Sequence, residues 1–261
     1  RCRGAPVSTL NITVLQQPLV WMDGPANLAF FDGLLADIQD RDLIILPEMF
    51  TTGFAMEAAA SSLPEKEVIA WLQAKAAATR AMVAGSAAIQ VEKGAVNRFF
   101  LVEPEGKVHF YDKRHLFRMA GEHEHYLAGD RREVIEWRGW RILPQVCYDL
   151  RFPVFSRNQN DYDLALYVAN WPAPRALHWQ TLLQARAIEN QAYIAGCNRV
   201  GTDGNGHAYS GDSRIISPQG EILAQGEPHQ PARLDATLSL ENLREYREKF
   251  PAWRDADSFR L

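Results

Sequence analysis

Leu10, Ile12 and Val14 alternate with Asn11 and Thr13, the period-two spacing of a strand with one face on a core. After Asp23-Gly24-Pro25, the apolar residues Leu28, Phe31, Leu35 and Ile38 recur at helical spacing, so the chain opens strand then helix. Leu43 to Leu46 is an unbroken apolar run closed by Pro47, as expected of a short strand buried on both faces. Ser62-Leu63-Pro64-Glu65 has the spacing of a capping box and precedes a helical pattern through Val68, Trp71 and Leu72 to Arg80. Met82 to Ile89 then returns to strand.

Two later segments are built alike, Phe99 to Val102 with Val108 to Tyr111, and Arg214 to Ile216 with Ile222 to Ala224. Each pair is separated by a Pro-x-Gly turn and predicts a hairpin. Between them come strand signals at Ile142 to Val146, Leu164 to Val168 and Tyr193 to Cys197, and a helical one from Leu177 to Asn190. Leu243 to Phe250 reads as a highly charged helix with a solvated face. This order implies an α/β fold with two sheets and helices outside them. No Ser/Gly-rich linker interrupts it, so one domain over residues 1–261 is expected, with 1–9 a flexible lead-in and 251–261 a C-terminal tail.

A chain of 261 residues that is 47% hydrophobic can build a large core. Its net charge of −4 and the lack of any Lys/Arg stripe point away from nucleic acid and anionic membranes and toward a small molecule. No stretch approaches the roughly 18 apolar residues of a membrane span, and Arg1 to Thr9 lacks the apolar core of a signal peptide. A cytoplasmic protein is expected. Cys2, Cys147 and Cys197 are too few and too scattered for a disulfide framework or a paired zinc site. His123 and His125 alternate with Glu122 and Glu124 over too short a segment to specify a metal, so no metal or cofactor is expected.

Cys147 ends an apolar strand and is followed at once by polar residues and Pro153, the place where open α/β sheets bind ligands. Free cysteine is ordinarily a small buried hydrophobe, so other residues must argue for chemistry. A thiol that attacks a carbonyl needs a base, and its oxyanion needs donors. No Gly-x-Ser-x-Gly elbow occurs; His115 and His178 remain possible bases, while Glu48 and Lys113 both follow predicted strands as Cys147 does. Taken singly, that carboxylate and that lysine are ordinary surface charges.

Together, Leu46-Pro47-Glu48-Met49-Phe50, Asp112-Lys113-Arg114-His115-Leu116-Phe117 and Cys147-Tyr148-Asp149-Leu150-Arg151-Phe152-Pro153 resemble the three ordered motifs of the nitrilase superfamily of carbon-nitrogen hydrolases. The resemblance runs from near Leu10 to about Pro251 and includes Trp179 to Asn190 and Gly211-Asp212-Ser213. It implies an αββα sandwich that forms homodimers or larger homo-oligomers, with Glu48 as base, Lys113 as oxyanion stabiliser and Cys147 as nucleophile. It also implies a substrate-orienting glutamate, matched here by Glu122 with Glu124 as an alternative, in a segment whose Arg118-Met119-Ala120-Gly121 departs from the usual pattern. Within the family the likeness is to omega-amidases, which release ammonia from the distal amide of 2-oxoglutaramate and 2-oxosuccinamate. On that reading Arg175 supplies a cation for the substrate carboxylate, Trp171 walls the pocket, and the Tyr148 N–H joins Lys113 at the oxyanion. Nitrilases and N-carbamoyl amino acid hydrolases use the same triad, and an acyltransferase has the same first half-reaction. These remain open alternatives.

Overall fold

Alternate residues of the first strand, β1 (Thr9–Gln16), serve two different cores, and this duality organises the molecule. Leu10, Ile12 and Val14 pack toward a second sheet, whereas Leu15 packs toward helices. The computed structural model describes residues 7–57 and 61–261.

In chain order, α1 (Gly24–Ala36), β2 (Leu43–Ile45), α2 (Glu65–Thr79), β3 (Met82–Val91), β4 (Gly94–Val102) and β5 (Val108–Asp112) follow β1. Next come β6 (Ile135–Trp137), β7 (Trp140–Val146), β8 (Leu164–Ala169), α3 (Ala176–Asn190) and β9 (Tyr193–Asn198). A small hairpin, β10 (Val200–Thr202) and β11 (Ala208–Ser210), precedes β12 (Arg214–Ile216), β13 (Ile222–Gln225), β14 (Ala232–Ser239) and α4 (Leu240–Lys249).

The first sheet has the order β14-β1-β2-β3-β4-β5 and the second β13-β12-β9-β8-β7-β6. Strands β1, β2 and β3 run parallel, as do β7, β8 and β9, while the flanking strands are antiparallel. Phe31 and Leu35 of α1 and Val68, Leu72 and Ala76 of α2 cover the outer face of the first sheet. Trp179, Leu183 and Ala187 of α3 belong to the core of the second. The result is the expected α/β/β/α layering. Because β2, β3 and β5 run in one direction, their carboxyl ends share an edge, and the loops leaving that edge carry polar groups into the seam between the sheets.

Both expected hairpins form, as β4-β5 and β12-β13. Helix α2 begins at Glu65 with Pro64, which has no side-chain capping bond, at the cap position. Proline there fixes φ, which by itself directs the chain into the helix. Most of the proposed lead-in, residues 1–6, lies outside the described residues, and Thr9 already belongs to β1. The Val7 N–H donates to Arg138 O at 2.9 Å. Helix α4 has more than a solvated face. Leu240, Leu243 and Arg247 are buried, and the Arg247 guanidinium donates to Asp163 Oδ1 (2.9 Å), Tyr162 O and Gln191 O, docking the helix on the second sheet.

Candidate active site

Glu48, Lys113 and Cys147 follow the carboxyl ends of β2, β5 and β7, so two strand ends of the first sheet and one of the second bring them together. Lys113 is locked through its backbone: its N–H donates to Asn97 O (2.9 Å), and its carbonyl accepts the Gly129 N–H (2.9 Å). A Cβ on Gly129 would lie 2.1 Å from Asp112 O, so only glycine lets this strand end approach so closely.

The fully buried Lys113 ammonium lies 3.0 Å from both Glu48 Oε1 and Glu122 Oε2, with its Nζ 5.2 Å from the Phe54 ring centre. Glu48 Oε1 also accepts from Asn97 Nδ2 (2.8 Å), and Oε2 accepts the Asn170 N–H (2.8 Å). Glu122 enters after Gly121, whose φ of +76° turns the chain inward. Its Oε2 takes a further bond from the Phe117 N–H (2.6 Å), while Oε1, also buried, has no partner. The Glu124 side chain is 70% exposed, which settles which glutamate enters the site.

Cys147 is only 8% exposed and sits at φ +44°, left-handed backbone that a side chain adopts at a cost of about 1–3 kcal/mol. The strain turns the chain sharply out of β7 into a short 3-10 turn, Cys147–Arg151. Asp149 Oδ2 holds the elbow by accepting the Val146 N–H at 2.9 Å. The thiol contacts Asn170 O at 3.9 Å, a long contact.

One ammonium faces two carboxylates in a space without water exposure, and the shifts of Lys113 and Glu122 follow from that imbalance. Burial alone would depress Lys113, but the charges of Glu122 and Glu48 outweigh it and hold the ammonium well above its ordinary value. Burial pushes Glu122 up, with Lys113 opposing and Glu48 reinforcing the rise. Burial likewise pushes the Cys147 thiol well up; Glu48 adds to this through charge and hydrogen bonding, and Lys113 works against it. These influences favour the protonated thiol, so a nucleophilic role for this sulfur would call for a base beside it. Of the two carboxylates, Glu48 acts on it more strongly.

Both histidines have other partners. His115 Nδ1 is bonded to Asp149 Oδ1 (2.7 Å), and His178 Nδ1 accepts from the Arg151 guanidinium (3.0 Å). His123 Nε2 lies 3.9 Å from Glu124, and no group of three or more metal-binding side chains occurs among the described residues. Tyr148 stacks on Phe117 (5.0 Å between centroids), and its N–H lies in the first turn after Cys147, where helical geometry supplies no acceptor. Trp171 is buried, donating its indole N–H to Arg175 O (2.9 Å). The Arg175 guanidinium lies over Phe117 (5.4 Å) and has no hydrogen bond or ion pair among the described residues. Asn97 was not singled out in the sequence, although a polar side chain inside the strand Ala95-Val96-Asn97 is a signal of its kind. Asn170 adjoins Trp171 just past the strand signal Leu164 to Val168, and its residue type carries no local signal of its own.

Residues 11–248 match the carbon-nitrogen hydrolase family model, and the chain belongs to this family. It is 72% identical over 252 residues to omega-amidase YafV of Escherichia coli K12, covering 97% of this chain and 98% of the relative. It is 33% identical over 220 residues to 2-oxoglutaramate amidase of Bacillus subtilis 168, covering 82% and 84%. Among solved structures, XC1258 of Xanthomonas campestris, a CN-hydrolase superfamily protein with an arsenic adduct in its active site, superposes with a TM-score of 0.95 at 44% identity, covering 98% of this chain and 100% of that one.

Proposed function

We propose that this protein is an omega-amidase that hydrolyses the distal amide of 2-oxoglutaramate and similar 2-oxo dicarboxylate monoamides through a thioester on Cys147. The observation that carries the reading is the strained Cys147 elbow facing a buried Lys113 held 3.0 Å from two carboxylates. The names of the relatives at 72% and 33% identity support the substrate class.

Glu48 takes the thiol proton as sulfur attacks the amide carbon, and the carbonyl electron pair moves onto oxygen. The Lys113 ammonium and the Tyr148 N–H stabilise that oxyanion without a metal. Collapse breaks the C–N bond; the proton on Glu48 passes to nitrogen and ammonia leaves. Water then gives a proton to Glu48 and attacks the thioester, the sulfur departs and recovers its proton from Glu48, and the acid is released. The unpaired Glu122 Oε1 is free to accept an amide N–H and orient the substrate. Arg175, without an anionic partner among the described residues, suits the 2-oxo acid carboxylate, with Trp171 as a wall. Free thiols at Cys147 and Cys197 fit a reducing cytoplasm, and no helix among the described residues is long and apolar enough to cross a membrane.

The exposed Leu177 and Ile188 lie about three turns apart on one face of α3 and supply an apolar surface for a homodimer. A panel of 2-oxo acid amides, simple amides, nitriles and N-carbamoyl amino acids, assayed for ammonia release with Cys147→Ala as blank, tests the reading. Release from 2-oxoglutaramate above all others is expected, and preference for a nitrile or a carbamoyl amino acid overturns it.

A further inference from the structure

The most densely bonded anion near the site touches none of the reacting groups. Asp149 is fully buried, and no Lys or Arg pairs with it among the described residues. Its Oδ1 accepts the His115 N–H (3.1 Å) and His115 Nδ1 (2.7 Å), and its Oδ2 accepts the Tyr111 hydroxyl (2.7 Å) and the Val146 N–H (2.9 Å). A carboxylate only accepts, so His115 carries its proton on Nδ1. The Tyr111 hydroxyl in turn accepts the Arg114 N–H (3.1 Å), and the His115 ring stacks on Phe152 at 4.1 Å and 12°.

These donors belong to two stretches. Tyr111, in β5, and His115, in the loop that leaves it, stand two residues to either side of Lys113, while Val146, the last residue of β7, and Asp149, in the turn that follows, bracket Cys147. Most of the seam is apolar side chains, whose packing holds the layers together but is non-directional, and Glu48 with Asn170 makes a further polar tie across it. A four-bonded carboxylate is directional. We infer that Asp149, acting with His115 and Tyr111, is the positioning unit that sets the Cys147 elbow in register with Lys113 across the seam. This rests on the reading of Cys147 as nucleophile and Lys113 as oxyanion donor. Misplacement of reacting groups by about 1 Å costs on the order of a hundredfold in rate, so a loosened tie lowers turnover with little effect on substrate affinity.

His115→Ala cuts one arm and leaves the Val146 bond intact. His115→Asn puts an amide N–H close to the Nδ1 position, and Tyr111→Phe removes a single oxygen. For each, kcat and KM for ammonia release, the rate of Cys147 alkylation by iodoacetamide without substrate, and the thermal midpoint are measured. His115→Ala and Tyr111→Phe are expected to lower kcat roughly tenfold or more with KM within about twofold, and His115→Asn to recover most of the loss. Parental kcat in both His115→Ala and Tyr111→Phe, with only the midpoint lowered, makes Asp149 a structural cap and overturns the inference, as does a His115→Asn no better than His115→Ala. If His115→Ala does not fold, Tyr111→Phe decides. A Cys147→Ala enzyme that still turns over removes the underlying reading. An inactive Cys147→Ala beside unaffected His115 and Tyr111 variants removes only the positioning role.

Discussion

Cys147 and Cys197 stand almost level in one sheet: Val146 pairs with Val168 on one side, and Val168 pairs with Cys197 on the other. Both are buried, and burial pushes both thiols up. Cys197 stays within β9, in extended backbone, and its S–H points to Leu15 O at 3.3 Å and Ile45 O at 3.6 Å. Cys147 has left its strand through a left-handed turn and meets Glu48, Lys113 and Glu122. Burial and strand position alone therefore make an inert thiol. On the proposed reading, the step out of the strand, together with charged loops from the opposite sheet, makes a nucleophile.

The largest expected effect separates the two cysteines. Cys147→Ala should lower turnover a thousandfold or more, and Cys147→Ser should fail similarly because a hydroxyl ionises far less readily, whereas Cys197→Ala should keep kcat within about twofold. Comparable losses from both would erase the distinction. Next is the pair of carboxylates. Glu48→Gln should cost about a hundredfold or more in kcat with KM nearly unchanged, and Glu122→Gln, which mimics a protonated carboxyl, should cost distinctly less. The reverse order in steady-state kinetics would exchange their roles.

The raised Cys147 pKa gives a smaller but signed effect. Below its pKa the thiolate fraction grows about tenfold per pH unit, so iodoacetamide labelling of the resting enzyme should climb through neutral pH without a plateau. Native Cys197 should stay unlabelled. A plateau below neutral pH would mean a resting thiolate paired to a cation, and Glu48 would lose its part as base. Last, Cys197→Ala should lower stability by about 1 kcal/mol through lost packing, read from denaturant midpoints.

The same contrast shows what was legible. Apolar runs such as Leu43 to Leu46 and Leu164 to Val168 announced their strands because strands buried on both faces need nothing else. Strand β14 was missed although Leu234 and Leu238 alternate with exposed Arg233 and Asp235; its charges edge the first sheet and broke the apolar signal. Glu48, Lys113 and Cys147 were found through short motifs at strand ends. Asn97, Asn170 and Asp149 are buried polar residues whose partners lie up to 122 positions away, and no local pattern encodes such pairings.

The most direct test of the central claim is mass spectrometry of protein quenched with acid during turnover of 2-oxoglutaramate. The account predicts an acyl adduct confined to the peptide that contains Cys147 and lost in Cys147→Ala. An adduct on Cys197 or Cys2, or undiminished ammonia release from Cys147→Ala, would contradict it.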